Sequence, residues 1–486
     1  MPHLLNVTKI FGDIPAGSSD FTHAPVTHYK IGNLCIDKRF IFWNSKDSFS
    51  ISRKEERLMK GKGFLVFVLF VLAIFISFSH TAVAQLKPGD PIVIGVPTAL
   101  GSIEGRDGWM AIQMARDEIN AKGGVQVGST KHKIEVYSID TREHEPGIPV
   151  HDALTAAEKL ILEKKPHAIA LGNFRSEVLL SSMDLISKYK LPYICCIAMT
   201  PLFQKKIVDE YDKYKYCFRN AINAPYLAMY LSGVMGFTKK EYGFNKAYII
   251  TQDVLWAKGT GQGLEKWFKE NGWEVIAFDT YATGASDFSP SLIKVRAQNA
   301  QLLVPIFDMP QSGILLKQAR AMQIPALLAG FISPIACENA WQVFEGEVEG
   351  MINMVYEVGP IPVKAVPKSV EFNQNYGKKW GEKARAELSG HGPGPSYDSI
   401  YMLASAFERA KTVEPDAVVK ALEQTDMQGA IGRIRFGKDH QVIYGYDPKE
   451  TALGVGFQWV KPGKRVVIFP EGVAEAKIQL PPYMKK

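Results

Sequence analysis

From residue 91 onward, apolar and polar positions fall into a regular alternation. The run 92–96 (IVIGV) is apolar throughout and predicts a buried strand. After it Trp109, Ile112, Ala115 and Ile119 recur at spacings of three and four, the stripe of an amphipathic helix, and Gly123-Gly124 ends it. Strands are expected at 134–138, 168–171 and 193–198, with helices near 153–163 and 176–187 between them. Segment 211–226 is polar, aromatic and charged, and it interrupts this rhythm. The alternation then restarts, with strands at 247–251, 275–278, 302–307 and 326–329 and helices at 261–271, 291–299 and 311–321. Strands separated by helices give βαβ units and a mostly parallel sheet, so two successive runs predict an α/β protein of two lobes. Pro360, Pro362 and Pro367 set off a helical stretch at 369–388. The loop His391-Gly392-Pro393-Gly394-Pro395 precedes a helix at 397–410, and the tail from Gly429 alternates like strands.

The segment before residue 91 changes the picture of where the chain works. Met59, Lys60 and Lys62 form a short basic start, 64–78 (FLVFVLFVLAIFISF) is almost wholly apolar, and Ala82-Val83-Ala84 provides small residues before Gln85. That order is the pattern of a cleaved export signal at 59–84. The apolar run is shorter than the roughly 20 residues of a membrane helix. Residues 1–58 then read as an extension ahead of the working protein, which is expected to start at Gln85. Residues 1–84 carry 10 of the 57 basic and 6 of the 50 acidic residues, so the remainder has a net charge of +3 rather than +7. It contains no Lys/Arg run of the kind that binds nucleic acid. Four cysteines remain, Cys195, Cys196, Cys217 and Cys337, with neither a CxxC pair nor a zinc spacing. Core thiols are the expected reading, with a bridge to Cys217 the alternative.

Enzyme motifs are absent: the chain has no GxSxG, HExxH or P-loop pattern. Gly259, Gly261 and Gly263 lie between a predicted strand and helix, which reads as a flexible turn. His144, Glu145 and His151 are separated by Pro146, Gly147 and Pro149 and read as a solvated loop. Position is more informative than motif. In open parallel sheets ligands bind beyond the carboxyl ends of strands, where helix N-termini present unpaired N–H groups. Ser176 follows one such strand end and Thr200 another. Both read either as helix N-caps or as hydroxyls of a carboxylate cradle, flanked by Arg106 and Arg175.

Several of these segments, in order, resemble the periplasmic leucine/isoleucine/valine-binding family of ABC importers. They are IVIGVPTALG, ARDEINAKGGV, LGNFRSE, LPYICCIAMTP and YCFRN, followed by AYIITQDVLWAKG, GASDFSPSLIKV, LLKQARAMQIP, SYDSIYMLASAFERA and GRIRF, and they span about residues 90–460. The resemblance implies a type I periplasmic-binding-protein fold, two doubly wound parallel-sheet lobes with the ligand between them. The first lobe would comprise 88–220 plus 362–454, and the second 225–355 plus 457–486. Three crossovers would fall near 219–225, 355–362 and 454–457. Carried over residue by residue, Ser176 stands where the family contacts a ligand carboxylate. Ala198, Met199 and Thr200 lie in the stretch that donates backbone N–H groups and a hydroxyl. Trp256 and Asp308 stand where the second lobe meets the ligand. The departure is at Gly330-Phe331-Ile332-Ser333, where the family offers a glutamate for the ligand ammonium. Asp308 or Glu104 would replace it, or the ligand lacks an amino group, and the apolar pair Phe331-Ile332 puts an aromatic or apolar acid first.

The resemblance thus implies a monomeric periplasmic solute-binding protein that needs no cofactor. It would close its hinge on a small carboxylate-bearing molecule, a branched-chain or hydrophobic amino acid or a related acid. The ligand would pass to an ABC permease in the inner membrane. A ligand-sensing receptor of the same fold is the alternative. An enzyme is disfavoured because no paired nucleophile and base is present.

Overall fold

The computed structural model describes residues 86–484; within Met1–Thr81 it describes only an antiparallel pair, Lys30–Ile31 with Leu34–Cys35. The export signal expected at 59–84 lies outside the described residues. No helix among the described residues is long and apolar enough to cross a membrane.

The first sheet has five parallel strands. In chain order they are β1 (Ile92–Thr98), β2 (Ile134–Asp140), β3 (Ala168–Ile169), β4 (Tyr193–Cys195) and β5 (Cys217–Arg219), and in space they run β2-β1-β3-β4-β5. Helix α1 (Ile103–Ala121) follows β1, and α2 (Ser176–Tyr189) follows β3. The second sheet begins with β6 (Lys246–Gln252), then α3 (Leu255–Glu270), β7 (Glu274–Tyr281), β8 (Leu302–Phe307), β9 (Leu327–Ile332) and β10 (Ile352–Val355). These five strands are parallel, and β11 (Val455–Val460) and β12 (Lys464–Phe469) extend the sheet antiparallel from β10. Between β10 and β11 the chain returns to the first sheet, where α4 (Pro393–Ala410) packs along α1. The chain therefore passes between the two sheets three times. Covered on both faces, the strands bury every residue of β8 and β9, which is why they read as continuous apolar runs. All four cysteines of 86–484 are free and buried, as core thiols.

Several boundaries differ from the sequence expectation, each for a local reason. Strand β3 stops at Ile169 because Leu171 and Gly172 turn through positive φ, 65° and 66°. A Cβ on Gly172 would lie 2.2 Å from the Tyr193 hydroxyl, so this turn needs glycine. Strand β4 stops at Cys195 rather than continuing to Ala198. The helix expected at 261–271 starts at Leu255, so Gly259, Gly261 and Gly263 lie inside α3 rather than in a turn. Gly261 is there for packing, since a Cβ would meet Phe278 at 2.6 Å and Thr251 at 2.9 Å. Helix α4 starts at Pro393 rather than 397, since its prolines sit in the first turn where no N–H is required. The interrupted segment holds β5 and leads into a further helix, Ala224–Tyr242.

Candidate functional site

The two sheets meet at a cleft whose inner end is built from strand ends and helix starts. Ser102 caps α1, its hydroxyl accepting from Gly105 N at 2.9 Å, and this fixes the first turn that carries Glu104. Asp308 follows β8. Its Oδ2 accepts from Trp256 Nε1 at 2.8 Å, and its backbone N donates to Gln252 Oε1 at 3.1 Å. Phe331 lies in β9 and Tyr356 just beyond β10, with ring centroids 4.1 Å apart, and the Trp256 ring stands edge-on to both. These side chains, with Glu104, Phe174 and the 197–199 segment, enclose a space of about 10 Å³, room for one water. The space joins a cleft of about 540 Å³, whose walls include Arg175, Ser176 and Glu177 on one side and Trp256, Asp308 and Gln311 on the other.

Charge defines the inner end. Burial, and then the neighbouring Asp308 charge, push the Glu104 carboxyl up to about 7, against the hydrogen bond donated by Ser333 Oγ from the opposite lobe. Burial pushes Asp308 up to about 6, against its bonds from Trp256 and Gln252. His391 sits at the edge of the same space. Its Nδ1 lies 3.0 Å from Glu357 Oε2 and its Nε2 2.8 Å from Ile197 O. Both ring nitrogens face acceptors, so the ring satisfies both as an imidazolium. Burial opposes that charge, but the Glu357 carboxylate outweighs it and holds the His391 pKa above its ordinary value. Glu357 also accepts from the N–H groups of Ile222, at 3.0 Å, and Gly392, at 3.3 Å. The imidazolium is thus matched by its own carboxylate. Glu104 and Asp308 form no ion pair among the described residues, and the His391 charge eases theirs by less than burial opposes them, which leaves the pocket with a surplus of acid groups and an aromatic wall.

Of the residues singled out in the sequence, Glu104, Ala198, Met199, Trp256, Asp308 and Phe331 surround the inner space. Arg175 and Ser176 line the outer cleft, and Thr200 lines neither. Ser176 is not an N-cap. It is the first helical residue of α2, and the Glu143 carboxylate accepts from Arg175 N at 2.9 Å in the cap's place. The Ser176 hydroxyl is buried and has no hydrogen-bond partner among the described residues. Thr200 stands one residue before Pro201, which precedes the helix Leu202–Asp209, and its Oγ1 accepts from Leu202 N, the first N–H of that helix, at 3.2 Å. Arg175, at the rim of the cleft, donates to Ile148 O at 2.9 Å, whereas Arg106 is held by the buried Asp107 at 2.8 Å and lines neither space. Trp256 belongs to the first turn of α3, not to a loop. His391 and Tyr356 carried no sequence signal, because Tyr356 lies on a passage between lobes and His391 in the loop before α4, where no period operates.

These environments separate the two hydroxyls in an experiment. Ser176→Ala should leave the ligand-free thermal midpoint unchanged and weaken carboxylate binding roughly ten- to a hundredfold. Thr200→Ala should remove about 1 kcal/mol of ligand-free stability and leave affinity alone. Calorimetry and thermal melts on both variants check the split, and a midpoint drop in Ser176→Ala would return that hydroxyl to a structural role.

Residues 91–447 match the model of a family described as periplasmic binding protein. The chain belongs to that family. Its members are solute-binding proteins rather than enzymes. The Leu/Ile/Val-binding protein homolog 7 of Brucella melitensis is 23% identical over 418 residues, covering 84% of this chain and 98% of that protein. The branched-chain amino acid transporter substrate binding protein LivJ of Streptococcus pneumoniae, solved with isoleucine, superposes with a TM-score of 0.63 at 21% identity, covering 78% of this chain and 100% of that one. An ABC transporter solute binding protein of R. palustris, solved with benzoate, superposes at 0.62 with 13% identity, covering 81% of this chain and 99% of that one. The fold is therefore shared by proteins with different ligands, and side chains must decide between them.

Proposed function

We propose that this protein is the solute-capturing component of an ABC importer, exported to the periplasm as a chain starting at Gln85. In this reading it takes up an amino acid and presents it to the permease by hinge closure. The observation that carries the ligand class is the buried pair Glu104 and Asp308 at the inner end of the cleft, two acids facing one histidine that Glu357 already holds. A ligand ammonium placed there supplies the missing cation, with the aromatic faces of Trp256, Phe331 and Tyr356 adding cation–π attraction. The partnerless Ser176 hydroxyl stands ready to donate to a carboxylate. The apolar pair Phe331-Ile332 alone favours an acid without an amino group, but a bare carboxylate entering beside two acid side chains meets like charge. The site therefore favours the zwitterion.

Titration calorimetry with leucine, phenylalanine and their desamino analogues tests this. The amino acids should bind at least about thirtyfold more tightly, since loss of an ammonium facing a buried carboxylate costs about 2 kcal/mol or more. Equal affinity for the desamino acids would remove the ammonium reading.

A further inference from the structure

Helix α3 starts without a cap of its own. Val254 occupies the capping position with an extended backbone, and its apolar side chain accepts nothing. The first N–H of the helix, that of Leu255, is met at 3.3 Å by Glu177 Oε1 from α2 on the opposite lobe. A helix N-terminus carries unpaired N–H groups and the positive end of the helix dipole, so a carboxylate is a favourable partner. Glu177 is the second residue of α2 and could have served the N-terminus of its own helix. There, however, the buried Glu143 already accepts from Arg175 N at 2.9 Å. Arg175 Nε lies 3.8 Å from Glu177 Oε2 and keeps the side chain at the rim of the cleft. One lobe thus provides a carboxylate that its own helix does not require, and the other provides a helix end that lacks one.

We propose that Glu177 is a closure residue, a cap supplied across the cleft that stabilises the closed arrangement of the lobes before any ligand arrives. This rests on the hinge-closure reading given above. When the lobes part, the α3 terminus loses its carboxylate to water; when they meet, it regains it. Glu177 borders the outer cleft but not the inner space, so it acts on ligand affinity through the fraction of molecules already closed. Apparent affinity scales directly with that fraction.

The test is a distance measurement between the lobes in ligand-free protein. In the chain starting at Gln85, which lacks Cys35, nitroxide labels at Glu163→Cys and Lys266→Cys, both exposed, report the separation by pulsed electron paramagnetic resonance, and the four remaining native cysteines are buried and shielded from labelling. Glu177→Ala should lower the closed population about threefold. Glu177→Gln, which retains an acceptor without charge, should fall between it and the parent. A saturating mixture of the twenty common amino acids should bring all three proteins to the same closed distance. An unchanged ligand-free distribution in Glu177→Ala overturns the proposal, and a lowered thermal midpoint with that unchanged distribution assigns the residue to its own helix instead. A parent protein whose distance does not respond to the mixture would overturn the hinge-closure reading itself. A parent that responds, with an unshifted Glu177→Ala, removes only the cross-cleft cap.

Discussion

Asp308→Asn is expected to weaken amino-acid binding by about thirty- to a thousandfold while raising the thermal midpoint of the ligand-free protein at neutral pH. The two effects have one cause. The Asp308 carboxylate is buried beside Glu104 with no cation bonded to it, and the His391 imidazolium, held by Glu357, offsets the cost of burial only in part, so its charge is unfavourable until a ligand ammonium arrives. An asparagine at 308 retains an acceptor for Trp256 Nε1 and removes the charge. Stability therefore gains what binding loses. Removing one partner of a desolvated charge pair costs about 2–4 kcal/mol, which sets the range. Glu104→Gln should act in the same direction. Calorimetry and melts on the same preparations check both signs, and leucine affinity unmoved in Asp308→Asn would sink the ammonium assignment.

Affinity should also fall steeply with acid, by about a hundredfold or more between pH 8 and pH 5. In the ligand-free protein Glu104 titrates near 7 and Asp308 near 6, both above their ordinary values because burial opposes the charged form. An ammonium needs them ionised. Above pH 8 they already are, whereas below pH 6 binding must expel a proton from each, which costs up to about tenfold per pH unit per group. Stability moves the other way. A carboxyl whose folded pKa is raised contributes stability that is complete below its unfolded value, near 4, and is lost as pH rises through 6 to 7. Asp107, Asp398 and His391 share that sign, while His167 and His440, with lowered values, oppose it. The informative quantity is therefore the difference between the parent and the double variant Glu104→Gln, Asp308→Asn, whose affinity and midpoint should both respond less to pH. A ligand that binds more tightly in acid would be an acid without an ammonium.

How much of this was legible in the sequence depended on burial geometry. Strand β8 falls at 302–307 as expected, because a central parallel strand is covered on both faces and reads as one apolar block. Strand β5 was lost because three residues, Cys217–Arg219, are too few to show a period. The helix Ala224–Tyr242 was lost for the opposite reason, since Leu227, Leu231 and Val234 face the core while Ala228, Met229 and Phe237 are partly buried too, leaving no polar stripe. At the site, Trp256, Asp308 and Phe331 were named through the family resemblance, and Glu104 as a substitute for its missing glutamate, whereas the strand-end argument alone singled out Ser176 and Thr200. His391 and Glu357 could not be named. Their pairing spans 34 residues of chain that cross between lobes, and neither residue type nor spacing marks it.

The carboxylate of Glu357 has a mechanical consequence. It holds Ile222 of the first passage, sits itself on the second, and grips His391 beside α4. The second passage is bonded in turn to the third, Val358 N to Leu453 O at 3.0 Å. Three segments stitched to one another in this way form an axle. In the hinge-closure reading, shear between the lobes would break the stitching, whereas rotation about it would spare it and part the contacts across the cleft, Ser333 Oγ to Glu104 and Leu255 N to Glu177 among them. If closure runs as proposed above, that rotation is the softest motion of the lobes, and substitutions at the rim should retune how readily they swing without touching what keeps them folded.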